Sequence, residues 1–190
     1  MKIGLFFGSF NPIHNGHLAI AEHIAQQKLF DQIWFVVSPN NPLKEKNDLL
    51  PENDRLNMVK LAIKNFPYLY ACDVEFSLPK PSFTINTLHF LENQYPTYEF
   101  SLIFGNDNME NFHQWKNYEE ILERFVIYVY PRSKEVFEKK KHPHIVYLDA
   151  PLLPVSATEI RNLLKQGKSV ADFLPAEVER YIKDRKTVRP

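Results

Sequence analysis

Short apolar runs alternate with amphipathic helical patterns along this chain of 190 residues. The spacing of Leu56, Val59 and Ile63 is typical of one helix face. This alternation predicts a parallel sheet with helices on both faces. We therefore expect an α/β fold: a Rossmann-like, doubly wound parallel sheet in a three-layer α/β/α arrangement, with further C-terminal helices. The strand-like runs lie at residues 3–7, 33–37, 69–74, 100–104, 125–130 and 145–148.

The composition is typical of a single globular domain and favours neither nucleic acid nor a membrane as a partner. The length and the 44% hydrophobic content fit a single globular domain, residues 1–190. Basic and acidic residues number 23 each, so no net charge favours nucleic acid or an anionic membrane as a partner. No segment has the apolar length of a membrane span, and polar residues interrupt the N-terminal apolar stretch before a signal-peptide core forms. With its lone Cys72, the chain is expected to be cytoplasmic.

Two histidines stand where the first strand gives way to the first helix. His14 and His17 flank Gly16, and Gly8 precedes them at the end of the strand. A helix N-terminus favours a phosphate anion, and glycines allow close approach of the backbone to a ligand. Imidazoles can donate hydrogen bonds to phosphate oxygens or carry charge in a transition state. The residues alone leave two alternatives: a fragment of a metal site, or two exposed side chains.

A second polar loop follows the fourth strand at Gly105 and Asp107. The segment from Gly8 to His17 is here called the histidine loop. In the strand order 3-2-1-4-5, the loop after the fourth strand faces the same crevice as the histidine loop. Asp107 then either contacts ribose, phosphate or a metal-linked water, or caps the following helix.

A further anion site is predicted near the C-terminus. Ser156 and Glu159 have the spacing of a capping box. The hydroxyls of Ser156 and Thr158, together with Arg161, also suit a phosphate at a helix start. Earlier, residues 39–53 form a long polar connection, in which Lys44 either reaches a phosphate or is simply solvated.

These segments together resemble a known family. Residues 8–17, Gly-Ser-Phe-Asn-Pro-Ile-His-Asn-Gly-His, are similar to the signature of the His-x-Gly-His nucleotidyltransferases. Ser156-x-Thr158-x-Ile160-Arg161 resembles their C-terminal phosphate motif. Over nearly its whole length the chain resembles the bacterial nicotinate-nucleotide adenylyltransferases. It departs from many relatives at Phe7, Asn11 and Leu43.

The resemblance implies adenylyl transfer from ATP to nicotinate mononucleotide, giving deamido-NAD and pyrophosphate. Mg²⁺ would be bound mainly through the ATP phosphates, with no metal site built from side chains. His14 and His17 would be catalytic, while Thr84 and Trp115 would bind nicotinate mononucleotide, although Trp115 also suits a core position. Alternatives are transfer to nicotinamide mononucleotide or phosphopantetheine, or a nucleotide-binding sensor without turnover. The ATP contacts implied are Gly8, Ser9, Phe10, Lys44, Gly105, Asp107, Ser156, Thr158 and Arg161.

Overall fold

Six parallel strands form one sheet in the order β3-β2-β1-β4-β5-β6, as a computed structural model shows. The predicted arrangement of strands 3-2-1-4-5 is thereby confirmed. The structure describes residues 1–39, 49–132, 141–151 and 155–185. The strands are β1 Lys2–Gly8, β2 Gln32–Val37, β3 Leu69–Cys72, β4 Glu99–Gly105, β5 Val126–Tyr130 and β6 Ile145–Tyr147.

Helices cover both faces of this sheet, so the three-layer prediction is also confirmed. One layer contains α1, α2, α6 and α7, and the other contains α3, α4 and α5. None of the described helices is long and apolar enough to span a membrane. The helices are α1 Asn15–Gln26, α2 Glu52–Ile63, α3 Thr84–Gln94, α4 Asn106–Glu110, α5 Tyr118–Arg124, α6 Ala157–Lys165 and α7 Ala176–Arg185.

The alternation of side chains along each strand divides the apolar interior into two cores. In β2, Ile33, Phe35 and Val37 pack in the core beneath α1 and α2, whereas Val36 points into the opposite core. Because successive side chains of a strand point to opposite faces, a continuous apolar run supplies both cores. This is why the strands read as unbroken apolar runs in the sequence.

The third strand is shorter than predicted. The apolar run extends through residue 74, but β3 ends at Cys72 and a 3-10 helix, Val74–Phe76, follows. In that helix Glu75 turns inward and accepts a hydrogen bond from the Thr87 hydroxyl of α3, at 2.8 Å. The 3-10 turn therefore carries a buried carboxyl group toward the carboxyl ends of the strands.

The last helix is tied to α2 by polar contacts. The Tyr181 hydroxyl donates to Asp54 at 2.7 Å, and Arg185 pairs with the same carboxylate at 3.1 Å. Gly167 follows α6 with a φ of +67°, a left-handed conformation that suits glycine and ends the helix as predicted. The polar contacts of Tyr181 and Arg185 hold α7 against α2, in the same layer as α1.

Candidate active site

The loop after β1 folds back over the end of its own strand. Phe10 has a φ of +46°, and its ring lies in the core, 5.8 Å from the ring of Phe6. A side chain at Gly8 would meet that ring, since an added Cβ would come within 2.7 Å of Phe10. Glycine is therefore required at residue 8 for packing. The Phe10 side chain therefore packs beneath the loop and is not exposed to a ligand.

Two arginines from different helices hold this loop in place. The guanidinium of Arg55 donates to the carbonyls of Ser9, at 2.7 Å, and Ser38, at 2.7 Å. It also donates to the carbonyls of residues 39 and 50. Arg161 of α6 donates to the carbonyl of Asn11 at 2.9 Å. Burial lowers the pKa of Arg55 to about 10, which still leaves the group charged near neutral pH.

The two histidines of the loop stack on each other at the start of α1. Their ring centroids are 3.7 Å apart, with an angle of 30° between the planes. The backbone N–H of His14 donates to Nδ1 of His17 at 3.3 Å, which places the proton of a neutral His17 ring on Nε2. An added Cβ at Gly16 would lie 2.9 Å from Nδ1 of His14, so glycine makes room for this ring.

His14 is a buried imidazole with unsatisfied nitrogens. The residue is 4% exposed, and neither Nδ1 nor Nε2 has a hydrogen-bond partner among the described residues. Burial, assisted by the positive charge of Arg132, lowers the pKa of His14 to about 4. The ring is therefore neutral near pH 7 and offers one N–H donor without an acceptor.

A cavity of about 430 Å³, here called the histidine cavity, opens beside the stacked rings. Its lining includes His14, His17, Ser156 and Arg132. Ser156 is the N-cap of α6, where its hydroxyl oxygen accepts from the backbone N–H of Glu159 at 3.1 Å, as the predicted capping role requires. Two histidines, a hydroxyl group and a guanidinium thus surround one space, a combination that suits a polyphosphate.

Thr158 and Arg161 are not among the residues that line the histidine cavity. Thr158 accepts a hydrogen bond from Arg161 at 3.3 Å, and the same guanidinium is also bonded to the histidine loop. One backbone donor at the N-terminus of α1 is also already paired, because the N–H of Asn15 donates to the carbonyl of Phe173 at 2.8 Å. The hydrogen bonds of Arg161 and Asn15 therefore stabilise the histidine loop rather than remaining open for a ligand.

The polar segment predicted as a loop after β4 is the start of α4, and an ion pair joins it to the segment that follows β5. Asp107 accepts from Arg132 at 2.8 Å, and Arg132 follows β5, the strand beside β4. An added Cβ at Gly105 would collide with the Arg132 side chain and would lie 2.5 Å from Oδ1 of Asp107. Asp107 does not cap a helix: it lies inside α4, whose N-cap is Gly105. That predicted alternative is wrong, and neither Gly105 nor Asp107 lines the histidine cavity.

A second cavity, about 170 Å³, lies at the start of α3 and is here called the ring cavity. Thr84 and Trp115 line it, together with Gly8 and Ser9 from the end of β1. Trp115 is half-buried, and its ring lies 5.4 Å from that of Phe104, so it packs on the core and also faces the cavity. The core position of Trp115 is therefore confirmed, whereas its contact with nicotinate mononucleotide stays a prediction.

Several residues around these cavities carry no recognisable motif in the sequence. Arg132, which lines the histidine cavity, is one of them. The strand order could have indicated it, because Arg132 follows β5, the neighbour of β4 in the sheet. In the ring cavity, Glu75, Ser82 and Lys116 are others. Lys44 lies outside the described residues. Within the described parts of the chain, no three His, Cys, Asp or Glu side chains cluster as metal ligands.

Comparison with known proteins identifies the family of the chain. The profile of the cytidylyltransferase-like family matches residues 5–163. A protein of Flavobacterium johnsoniae, named a probable nicotinate-nucleotide adenylyltransferase, is 51% identical over 185 residues, which are 96% of each chain. A protein of Cytophaga hutchinsonii with the same name is 51% identical over 188 residues, 98% of this chain and 97% of that one.

The fold has solved counterparts as well. The nicotinic acid mononucleotide adenylyltransferase of Plasmodium falciparum, solved in complex with NaAD, superposes with a TM-score of 0.84 at 22% identity. That match covers 97% of this chain and 96% of the other. With the fold, the paired histidines and the full-length sequence matches in agreement, the chain belongs to the nicotinate-nucleotide adenylyltransferase family of nucleotidyltransferases.

Proposed function

We propose that this protein transfers the adenylyl group of ATP to nicotinate mononucleotide, releasing pyrophosphate and forming deamido-NAD. The observation that carries the proposal is the unsatisfied His14 imidazole beside His17 in a cavity that Ser156 and Arg132 also line. A buried donor without an acceptor costs about 1–3 kcal/mol. A phosphate oxygen in this cavity would supply the missing acceptor.

The chemistry requires no protein nucleophile. A phosphate oxygen of nicotinate mononucleotide attacks the α-phosphorus of ATP, and the bond from that phosphorus to the β-phosphate bridging oxygen breaks. Catalysis then consists of positioning the two substrates and stabilising the developing negative charge. Nucleotidyltransferases of this kind generally use Mg²⁺ with ATP. The metal ion would enter as part of MgATP and neutralise phosphate charge.

The side chains of the histidine cavity have complementary roles in this scheme. Neutral His14 donates to an oxygen of the transferred phosphate, and His17 donates from Nε2. The Ser156 hydroxyl and the Arg132 guanidinium serve the phosphates that leave as pyrophosphate, since a guanidinium binds phosphate oxygens strongly. Arg161 acts through the loop carbonyl that it holds, with its phosphate contact remaining a prediction from the resemblance.

The ring cavity suits the other substrate. Trp115 offers an aromatic face for the pyridine ring, and the N-terminus of α3 at Thr84 favours the negative carboxylate on that ring. Gly8 and Ser9 line this cavity, and the same loop carries His14 into the histidine cavity. The loop thereby links the two substrate positions.

The test is release of pyrophosphate by the purified protein with MgATP and one acceptor at a time. Nicotinate mononucleotide should react much faster than nicotinamide mononucleotide or phosphopantetheine; equal or reversed preference would refute the substrate assignment. His17→Ala should lower kcat by about 100-fold or more while the protein stays folded. His89→Ala is the matched control, because His89 pairs with Glu120 on the surface and lines neither cavity.

A further inference from the structure

The ring cavity contains a buried acid that the reaction scheme does not use. Glu75 is 2% exposed and lines this cavity. Its Oε1 accepts a hydrogen bond from the Thr87 hydroxyl at 2.8 Å. Its Oε2 is buried and has no hydrogen-bond partner among the described residues, and the same is true of the Ser82 hydroxyl in the same cavity wall. Two unsatisfied polar atoms in one cavity wall indicate a ligand group that satisfies them.

The surroundings of Glu75 favour its neutral form. Burial raises the pKa of Glu75, and the hydrogen bond from the Thr87 hydroxyl opposes this rise. The nearby hydroxyls of Ser38 and Ser82 oppose it as well, although neither forms a hydrogen bond with Oε2 in the structure. With Oε1 already accepting from Thr87, the proton of a neutral carboxyl belongs on Oε2. A neutral Glu75 therefore presents an O–H donor where the structure shows no acceptor.

The charged neighbours of Glu75 are few. Of the described residues that line the ring cavity, Lys116 is the only other ionisable one, and its ammonium lies 4.9 Å from the centre of the Phe83 ring. Cys72 and Asp73 precede Glu75 on its own segment, while β2, on which the 3-10 helix packs, carries no ionisable side chain. On α3, the ionisable His89 and Glu92 are paired on the surface with Glu120 and Arg124.

We propose that Glu75 is a specificity-determining residue, whose carboxyl group donates a hydrogen bond from Oε2 to the carboxylate on the pyridine ring of the acceptor substrate. This inference rests on the proposed function. A carboxylate only accepts hydrogen bonds, so it satisfies both the Glu75 donor and the Ser82 hydroxyl. A carboxamide presents its own N–H₂ donors to the same groups and fits them less well. An ionised Glu75 would repel the carboxylate of nicotinate mononucleotide but not the uncharged amide.

The proposal gives a distinctive dependence on pH. As pH rises and Glu75 loses its proton, nicotinate mononucleotide loses a donor and meets a like charge, so its binding weakens. Nicotinamide mononucleotide is the matched control ligand because it carries the same ribose and phosphate but no carboxylate. The ratio of the two dissociation constants therefore removes the titration of the shared phosphate.

The experiment compares wild type with Glu75→Gln and Glu75→Leu, using calorimetry for binding and pyrophosphate release for turnover. Glutamine keeps a hydrogen-bond donor at the same place but does not titrate. The dissociation constant of Glu75→Gln for nicotinate mononucleotide should therefore lie within about threefold of the wild-type value. The ratio of the two dissociation constants should no longer depend on pH. Leucine should raise the KM for nicotinate mononucleotide by about ten- to a hundredfold, with kcat and the KM for ATP little changed.

The outcomes separate this inference from the proposed function. If wild type does not use nicotinate mononucleotide at all, the proposed function fails. If wild type uses nicotinate mononucleotide but Glu75→Leu still prefers it over nicotinamide mononucleotide, Glu75 only lines the ring cavity and the inference is overturned. Equal loss in Glu75→Gln and Glu75→Leu would mean that the group acts as an anion, which also overturns it. Should Glu75→Leu not fold, the pH dependence of the ratio of the two dissociation constants is compared between wild type and Glu75→Gln. Persistence of that dependence in Glu75→Gln would overturn the inference.

Discussion

Burial of His14 should make the stability of this protein sensitive to mild acid. In the folded protein His14 binds a proton only near pH 4, whereas in the unfolded chain its pKa is the ordinary 6.5. Between these values the unfolded chain holds more protons, so the free energy of unfolding falls as pH decreases from 6.5 to 4. The contribution is fully present above pH 6.5. Since each pKa unit corresponds to about 1.4 kcal/mol, the whole interval amounts to about 3 kcal/mol.

Urea unfolding at a series of pH values measures this contribution. Asparagine does not titrate, so His14→Asn removes the effect. Between about pH 7.5 and pH 5, wild type should lose about 2 kcal/mol more stability than His14→Asn does. Comparing each protein with itself cancels any constant loss caused by the substitution.

His113→Asn is the control, because His113 is exposed in the 3-10 helix before Trp115. It should keep the wild-type dependence on pH. Parallel curves for wild type and His14→Asn would refute the reasoning, since they would mean that the folded protein does not resist protonation of this ring.

Two further predictions concern the support of the histidine loop. Gly16→Ala should displace the side chains of Val155 and His14, which leave 2.7 Å and 2.9 Å for an added Cβ, and should lower kcat by about tenfold or more in the pyrophosphate assay. Unchanged kcat would show that the position of these two side chains is not critical. Arg55→Met should destabilise the protein by about 3–5 kcal/mol in urea, because it leaves carbonyls such as that of Ser9 unpaired. Lys60→Met on the exposed face of the same helix should change stability by less than about 0.5 kcal/mol, and similar losses in both would contradict the role of Arg55.

The sheet was predictable because its signal is repeated and local. Each strand is a short apolar run between polar segments, and the carboxyl-end rule for parallel sheets then indicates which loops meet. The end of β3 escaped this reasoning, because Val74 continues the apolar run although the backbone has already turned into a 3-10 helix. Apolar periodicity does not distinguish the last residue of a strand from the first of a tight turn.

The site was predictable where glycines and histidines mark a loop, and not where a single ordinary residue is brought in from elsewhere. Arg132 and Glu75 are common residue types in segments without a motif. Their importance arises from neighbours distant in sequence: Asp107 for Arg132, and Thr87 for Glu75. For Asp107 the sequence favoured either ligand contact or a helix cap, whereas the structure shows an ion pair that only the adjacency of β4 and β5 makes possible.

The histidine loop determines more than the position of its own side chains. Ser9 lines the ring cavity and His14 lines the histidine cavity, so the six residues from Ser9 to His14 span both proposed substrate positions. Arg55 and Arg161 hold the carbonyls of this span from two different helices. Correct relative placement of two reactants is worth several kcal/mol of the barrier, and a misplacement of about 1 Å can cost about 100-fold in rate. We therefore expect the two arginines to affect adenylyl transfer by fixing the separation of the substrates, even where they contact neither substrate.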